Sequence, residues 1–280
     1  MRKCVLVFLL SSSIYTIGIS QALKLGIGYG IMNYQGDLQS ARFTTKLSQQ
    51  AISGYLKYDL TNHVVIRGVL TDGSVYGDDK FNPSPQKERN LNFRSKIYEA
   101  QLAAEYHFFG AEAHRLSPFI FAGIAAFHFN PYTTDTAGAT VYLRYFSTEG
   151  EGLPEYPDRK MYSNNQIAIP FGFGVNFRIS NRFTLGAEFS ERKLFTDYLD
   201  DVSKGYIDYN TLLKERGPLA PRLAYRGPGP YPPDPSVAYK RGNPANKDWY
   251  YTGMITLFYN LFGNNDNGIR KTGYGCPKVN

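Results

Sequence analysis

A side-chain pattern with a period of two recurs eight times along this 280-residue chain. The clearest copy runs from Ile167 to Phe177, where Ile, Phe and Val alternate with Ala, Pro, Gly and Asn. Successive side chains of a β-strand point to opposite faces of a sheet, so this period predicts a strand. Segments of about 10 residues with this alternation, rich in aromatic residues and separated by turns, are typical of membrane-spanning β-barrels.

The alternation predicts eight strands joined by links that alternate in length. The predicted strands are Leu23–Gln35, Ala51–Leu60, His63–Thr71, Ile97–Phe108, Pro118–Asn130, Gln166–Ile179, Arg182–Arg192 and Asp248–Phe262. Short links are predicted at Thr61-Asn62, Gly110–Ser117 and Ser180-Asn181. Long polar links are predicted at Gly36–Gln50, Asp72–Lys96, Pro131–Asn165 and Lys193–Lys247.

The order of these links places three short turns and both ends of the barrel at one rim, and four long loops at the other. Outer-membrane barrels have short periplasmic turns and longer external loops. We therefore predict an all-β fold, an eight-stranded antiparallel transmembrane β-barrel with long external loops over residues 23–262, located in the cell outer membrane.

The two ends of the chain are predicted to lie outside the barrel. Residues 1–22 have a basic start, an apolar stretch and small residues before Ala22, which is typical of a signal peptide. The alternative is a membrane anchor helix, but Ser, Thr and Gly residues interrupt this short apolar run. Residues 263–280 form a Gly/Asn-rich segment predicted to be a periplasmic tail, and it contains Cys276, the one cysteine left after cleavage.

Charged side chains on the inward positions predict a filled interior. These are Lys24, Lys57, Arg67, Arg178 and Arg192, with Asp59, Glu99, Glu105 and Glu188. An eight-stranded barrel is wide enough only for its own side chains, so we expect ion pairs across the lumen and no pore. Without Arg2 and Lys3 the chain has 29 basic and 24 acidic residues, and no basic run indicates a nucleic-acid partner.

The last predicted strand has aromatic residues at both of its ends, from Trp249 to Phe262. Aromatic girdles at the two membrane interfaces would explain them, as would a terminal strand recognised during membrane insertion. Core packing in a soluble barrel such as a lipocalin is the alternative. The sequence pattern as a whole favours the membrane barrel.

No constellation of residues indicates catalysis or a cofactor. The carboxylates Asp197, Asp200 and Asp201 could bind Ca²⁺ or accept hydrogen bonds within a loop, and the second interpretation is favoured because no EF-hand pattern is present. The same holds for Glu149, Glu151, Glu155 and Asp158. The four histidines stand apart, which argues against zinc. The Pro/Gly-rich run from Arg226 to Pro235 is either disordered or a binding surface.

Several runs resemble a known family. They are Leu116–Ile124 with Phe127, Asn130 and Pro131, then Thr148–Lys160, Ile169–Gly174, Phe195–Ser203 and Asp248–Tyr250. Together they resemble PorG-like outer-membrane barrel subunits of the type IX secretion system in Bacteroidetes, over about Leu23–Phe262. The most specific runs carry the loop residues Glu149, Gly150, Glu151, Asp158, Arg159, Asp197, Asp200 and Asp201.

The resemblance implies a non-enzymatic subunit that associates with the periplasmic PorK/PorN ring, supports protein export, and serves gliding motility in gliding species. It implies outer-membrane lipid as surroundings and no cofactor or small-molecule substrate. The family motifs fall mostly in the long loops, whereas a periplasmic ring would meet the short turns and the tail. We therefore expect ring contact at the turn with Glu112, His114 and Arg115, and at residues 263–280.

Two other functions remain open at this point. A surface enzyme would need Ser, His and Asp side chains converging at the outer rim, and no G-x-S-x-G motif is present. A separate ligand-binding or adhesion barrel would use its external loops, including the Pro-rich run, to bind partners.

Overall fold

The structure is a computed structural model that describes residues 23–39, 41, 44–83, 86–231 and 240–262. The predicted signal peptide (1–22), the predicted tail (263–280) with Cys276, and residues 232–235 of the Pro/Gly-rich run lie outside the described residues.

Ten strands and three short α-helices make up the regular structure of the described residues. The strands are β1 Leu23–Gln35, β2 Gln49–Asp59, β3 Val64–Asp78, β4 Asn92–His107, β5 Leu116–Phe129, β6 Tyr132–Thr134, β7 Thr140–Tyr142, β8 Asn165–Arg178, β9 Phe183–Leu194 and β10 Trp249–Asn260. The helices are α1 Gln86–Arg89, α2 Tyr209–Arg216 and α3 Leu219–Ala224, and 3₁₀ turns span Asp79–Phe81 and Leu143–Phe146.

Eight of these strands close into an antiparallel barrel, which confirms the predicted fold. Each strand pairs with its neighbour in the order β1, β2, β3, β4, β5, β8, β9, β10, and β10 pairs with β1. The closing register sets Lys24 opposite Asn260 and Gln35 opposite Trp249. The short β6–β7 hairpin joins β4 through the single pair Arg94–Tyr132 and stands above the barrel.

The prediction that Asp72–Lys96 is a long loop is wrong at both of its ends, for nearly half of its length. β3 continues to Asp78 and pairs there with Asn92 at the start of β4. Both strands therefore extend beyond the neighbouring strands. The inward side chains of these extensions, Val75 and Phe93, are buried in an apolar cluster. The predicted loop Pro131–Asn165 contains the β6–β7 hairpin, and Lys193–Lys247 contains α2 and α3.

The outer wall of the barrel is apolar and exposed. Ile27, Leu70, Ile124, Ile167 and Phe173 are between 60 and 68% exposed on outward positions. In a soluble barrel this apolar surface would be exposed to water, at a free-energy cost of about 25 cal/mol for each Å². In a bilayer, lipid hydrocarbon covers the same surface. The wall supports the membrane barrel over the soluble alternative and places the chain in the outer membrane.

No helix among the described residues is long and apolar enough to span a membrane.

The interior has an apolar upper part and a charged lower part. Toward the long loops, a large cluster that includes Met32, Phe93, Phe127 and Tyr250 fills the barrel and continues into the loops. A second cluster, formed by Leu153, Ile207, Leu212, Ala220 and Ala224, lies under α2 and α3 in the loops. The loops are therefore packed onto the barrel mouth.

Ion pairs cross the lower lumen, as the inward charges predicted. Arg67 is 1% exposed, and its guanidinium lies 3.1 Å from Glu105 and 2.9 Å from Glu188. Lys57 Nζ lies 2.7 Å from Glu105, and Arg192 lies 2.9 Å from Glu99. These charges come from β2, β3, β4 and β9, so they connect opposite walls of the barrel across the lumen. The rim arginine Arg178 differs, because it donates to the Glu112 carbonyl at the exposed short-turn end.

Replacing Arg67 with Met should destabilise the barrel by about 3–5 kcal/mol, because Glu188 would keep a buried charge without its cation. Urea unfolding of the refolded barrel in detergent micelles, followed by the heat-dependent gel shift of folded barrels, measures this loss. Arg178→Met at the rim is the matched control, and should cost about 1 kcal/mol or less. Equal midpoints for the two variants would contradict a structural role of the lumen pairs.

Candidate functional site

The loop residues that carry the family motifs meet above the barrel mouth. The loop after the 3₁₀ turn Leu143–Phe146 brings in Glu149 and Glu151, and the loop after β9 brings in Asp200 and Asp201. All four residues are 0% exposed. We call this group, with Asp197 and Arg241, the acidic cap. Pairing of β8 with β9 and packing of the loops onto the core bring the two loops together.

Arg241 supplies the positive charge of the acidic cap. Its guanidinium is buried, donates to Glu149 Oε1 at 3.1 Å, and also donates to the Asp201 carbonyl. A further bond at 3.1 Å reaches the carbonyl of Ala224 at the end of α3. One side chain thus connects segments of two loops, the one before β8 and the one between β9 and β10. Sequence reasoning missed Arg241, which stands 92 positions from Glu149 beside the Pro/Gly-rich run.

Backbone amides complete the binding of Glu149. Its carboxylate accepts hydrogen bonds from the amides of Ser203 at 3.0 Å and Lys204 at 2.7 Å. Arg159 donates to the Glu149 carbonyl at 2.6 Å and to the Gly205 carbonyl at 2.7 Å. Gly150 adopts a φ of +82°, a left-handed conformation that disfavours other residue types. The Thr-Glu-Gly run is therefore a specific loop clamp.

Asp201 and Asp200 hold the second loop. Asp201 accepts hydrogen bonds from Tyr162 at 2.7 Å and Thr148 at 2.5 Å. Asp200 accepts a 2.5 Å bond from the Tyr34 hydroxyl, which also lies 3.4 Å from Asp248. Burial raises the pKa of Asp200 and that of Asp248 well above the ordinary value, and neighbouring carboxylates raise both further.

The carboxylates of Glu149, Glu151, Asp200 and Asp201 accept hydrogen bonds within the fold. Among the described residues no group of three or more His, Cys, Asp or Glu side chains is arranged to hold a metal ion. Asp158 does not join the acidic cap, since its side chain is 76% exposed and lies 3.8 Å from Lys204. Asp197 is buried at the edge of the cap.

At the opposite rim, the turn predicted to contact a ring packs against the barrel end. The Glu112 carboxylate is half exposed and lies 3.3 Å from Lys24 Nζ. The His114 ring stacks edge-on against Phe109 at 6.1 Å between centroids. Arg115 accepts a 2.7 Å bond from the Arg178 amide at its carbonyl. The turn therefore presents a fixed polar surface beside the ends of β1 and β10.

Near this rim three inward side chains are arranged in space like the serine, histidine and acid of a hydrolase triad. His107 Nδ1 lies 2.9 Å from Ser117 Oγ, and His107 Nε2 lies 3.0 Å from Glu105 Oε2. All three residues are at most 2% exposed. The adjoining cavity holds about 20 Å³, too small for any substrate larger than a water molecule. Glu105 is also paired with Lys57 and Arg67, so this chain of contacts belongs to the lumen network.

Replacing Arg241 with Met should open the acidic cap and leave the barrel folded. Glu149 and Asp201 would lose their cation while still buried, at a cost of about 3–5 kcal/mol. Hydrogen exchange over residues 147–159 should rise sharply, with exchange in β8 and β9 unchanged. Lys240→Met, at an exposed neighbouring side chain, is the control. Unchanged protection in Arg241→Met would show that Arg241 does not hold the loops.

Stability of the acidic cap should fall as the pH rises. Burial raises the pKa of Asp197 to about 7, despite the nearby Lys247. Burial raises the pKa of Glu151 too, assisted by the charges of Asp201 and Glu149 and opposed by Arg241. These carboxyl groups therefore bind protons more tightly in the folded cap than in the unfolded chain. Their contribution to the stability of the cap is complete below about pH 4, the ordinary pKa of a carboxyl group, and is lost as the pH rises through about 7.

Hydrogen exchange of the loops at pH 5 and pH 8, corrected for intrinsic rates, measures this change. Protection should be greater at pH 5, and Asp197→Asn should make the dependence shallower. Protection that increases toward pH 8 would contradict the assignment.

Solved structures similar to this chain are small outer-membrane barrels. The attachment invasion locus protein Ail of Yersinia pestis, solved with the heparin analogue sucrose octasulfate, is 10% identical with a TM-score of 0.42, covering 86% of this chain and 99% of Ail. Neisserial surface protein A is 10% identical with a TM-score of 0.42, covering 85% and 97%. A major outer membrane protein of Thermus thermophilus is 11% identical with a TM-score of 0.42, covering 86% and 100%.

Comparison with curated protein sequences found no match. One sequence family, described as "Domain of unknown function (DUF6089)", matches residues 2–214. The match runs from the first residues through most of the barrel and includes the carboxylates of the acidic cap, whereas Arg241 and β10 lie beyond it. The chain therefore belongs to the DUF6089 family.

Proposed function

We propose that this chain is a non-enzymatic barrel component of the type IX protein secretion machinery, associating with the periplasmic PorK/PorN ring and supporting protein export. In gliding species the same attachment would serve motility. The observation that carries the proposal is the fixed polar turn at the short-turn rim, where Glu112 lies beside Lys24, at the side that faces the periplasm in this topology.

The packed interior fits a role without transport through the barrel. Arg67 and Arg192 cross the lower lumen, and the apolar cluster fills the upper part. Exported protein would therefore pass elsewhere, with this chain anchoring the ring to the outer membrane. The sequence motifs shared with PorG-like subunits are the other support for the proposal.

A separate adhesion or ligand-binding barrel is the second candidate. Exposed aromatic side chains at the long-loop end favour it: Tyr145 is 68% exposed, Tyr142 44% and Tyr209 44%. Aromatic residues are enriched at protein-binding surfaces because they bury a large area at little entropic cost. Such a protein would act through its loops and would not require a periplasmic partner.

An epitope-tagged chain purified in mild detergent should carry PorK/PorN-type ring proteins with it. A variant with Glu112, His114 and Arg115 all changed to Ala should recover at least about tenfold less ring protein, since contact residues of this kind each contribute about 1 kcal/mol or more. Mass spectrometry of the eluate, normalised to the tagged chain, measures this. Asp158→Ala with Lys160→Ala, in the outer loop, is the matched control.

All variants must show the heat-dependent gel shift of a folded barrel. A wild-type chain that elutes alone from cells with abundant ring proteins would contradict the proposed function and favour the adhesion barrel. Equal recovery of ring proteins by the wild type and the turn variant would show that the ring contact lies outside this turn.

A further inference from the structure

The barrel sheet continues past its neighbouring strands on one side, toward the long loops. There β3 and β4 stay paired as far as Asp78 and Asn92, and the β6–β7 hairpin joins β4. The inward side chains of this extension, such as Phe93 and Val141, are buried in the apolar cluster of the loops. Its outward face is exposed or half-buried at five positions, which form the surface that we call the upper platform: Tyr76, Arg94, Lys96, Tyr132 and Tyr142.

A row of three tyrosines and one arginine crosses all four strands of the upper platform. Tyr76 on β3 is opposite Arg94 on β4, and Arg94 is opposite Tyr132 on β6. Tyr132 is in turn opposite Tyr142 on β7, and the two rings meet edge-on at 5.8 Å between centroids. The Arg94 guanidinium lies 4.6 Å from the centre of the Tyr76 ring and donates to Gln49 Oε1 at 3.3 Å. Other side chains therefore hold Arg94 in place on an open surface.

The upper platform carries positive charge without an acidic partner. Arg94 and Lys96 are both exposed, and neither forms an ion pair with any residue that the structure describes. Asp72, an outward carboxylate, lies one row below Lys96. Asp78 is buried at the upper end of β3, where Lys80 Nζ lies 3.0 Å away and balances its charge. An anion approaching from outside would thus meet two free cations side by side on β4.

The upper platform lies above the hydrocarbon layer of the membrane. On β4 the outward residue Ala100 belongs to the last apolar row, and Lys96 and Arg94 follow toward the loops. With a rise of about 3.4 Å per residue and a tilt of about 40°, they lie roughly 10 and 15 Å above that row. The head-group layer of a phospholipid leaflet is only about 5–7 Å thick. A membrane lipid that reaches Arg94 therefore needs a taller head group.

Phosphate groups attached to sugars match the chemistry and the height of the upper platform. A guanidinium binds phosphate through two parallel hydrogen bonds, and a lysine ammonium binds it as a point charge. The negative face of a tyrosine ring attracts the C–H groups on the face of a sugar ring. The outer leaflet of an outer membrane contains a glycolipid with such a head group, lipid A with its core sugars. Its acyl chains would lie against the apolar wall directly below.

We propose that the upper platform binds the phosphorylated sugar head group of this outer-leaflet glycolipid. Arg94 and Lys96 bind the phosphate, and Tyr132 and Tyr142 pack on the neighbouring sugar rings. The site is built on strands of the barrel sheet, so the bound lipid would fix the position of the long-loop end in the outer leaflet. It lies at the opposite end of the barrel from the short-turn rim and does not depend on the proposed ring contact.

The test is native mass spectrometry of the folded chain in detergent, titrated with purified lipid A that carries its core sugars. We expect saturable binding to the wild type. Arg94→Gln with Lys96→Gln should weaken it at least about tenfold, because two charge-assisted contacts are lost. Tyr132→Ala with Tyr142→Ala should weaken it about threefold or more. The wild type should bind the same glycolipid without phosphates as weakly as the double Gln variant binds the intact one.

Two matched controls lie away from the upper platform. Lys193→Gln removes an exposed outward cation of β9, and Tyr209→Ala removes a tyrosine that is 44% exposed, as Tyr142 is. Both should bind the glycolipid as the wild type does. A double Gln variant with wild-type affinity, an equal loss in Lys193→Gln, or equally tight binding of phosphatidylglycerol by the wild type would each overturn the proposal.

Folding of every variant is verified by the heat-dependent gel shift. Recovery of ring proteins from cells is scored separately for the same variants and should equal that of the wild type. Failure of glycolipid binding is thereby distinguished from failure of the proposed function.

Discussion

Closure of the sheet by the pairing of β1 with β10 is the constraint on which the rest of the structure depends. In a hydrocarbon layer no water satisfies an open strand edge, so the backbone hydrogen bonds must return to the starting strand. The register from Lys24–Asn260 to Gln35–Trp249 achieves this over twelve residue pairs. With eight strands the resulting lumen is narrow, and side chains must fill it. Packed side chains therefore occupy the interior, and binding to other molecules takes place at the surfaces of the barrel and loops.

The filling of the lumen explains why the two rims differ. Charged pairs such as Arg67–Glu188 brace the lower half, where the connecting turns are short and contribute few side chains of their own. The upper half opens into loops that add apolar residues, and there Arg241 joins chain segments far apart in sequence through Glu149 and Asp201. A buried carboxylate without a cation of its own binds a proton more tightly, and it raises the proton affinity of the carboxylates near it. The stability of the loops therefore depends on pH. The barrel below does not contain these carboxylates.

Most of the barrel was predictable because alternation needs only local sequence. The run Ile167–Phe177 identifies β8 within two residues at each end. Prediction failed at the end of β3, where Asp72 reads as the start of a polar loop although Val75 and Gly77 continue the inward face. The acidic cap was only half visible, since the run around Asp200 and Asp201 is distinctive but nothing in the sequence identifies Arg241 as its cation. Long-range pairing of this kind depends on how loops fold back, which a period of two does not encode.

The same alternation that locates the strands also identifies their outward residues, and these side chains differ in size along the outer wall. A barrel surrounded only by lipid gains from covering its outward positions with large apolar side chains, since each buries more hydrocarbon. The residues at 54, 68, 100 and 126 forgo that gain, whereas Asp72 lies in the next outward row, level with Tyr98, His128 and Asn165. Internal packing accounts for glycines such as Gly26 but not for Gly54 or Gly68. Polar and aromatic side chains at that height suit the membrane interface, so the apolar band of this wall ends at the row formed by Leu70, Ala100, Ala126 and Ile167.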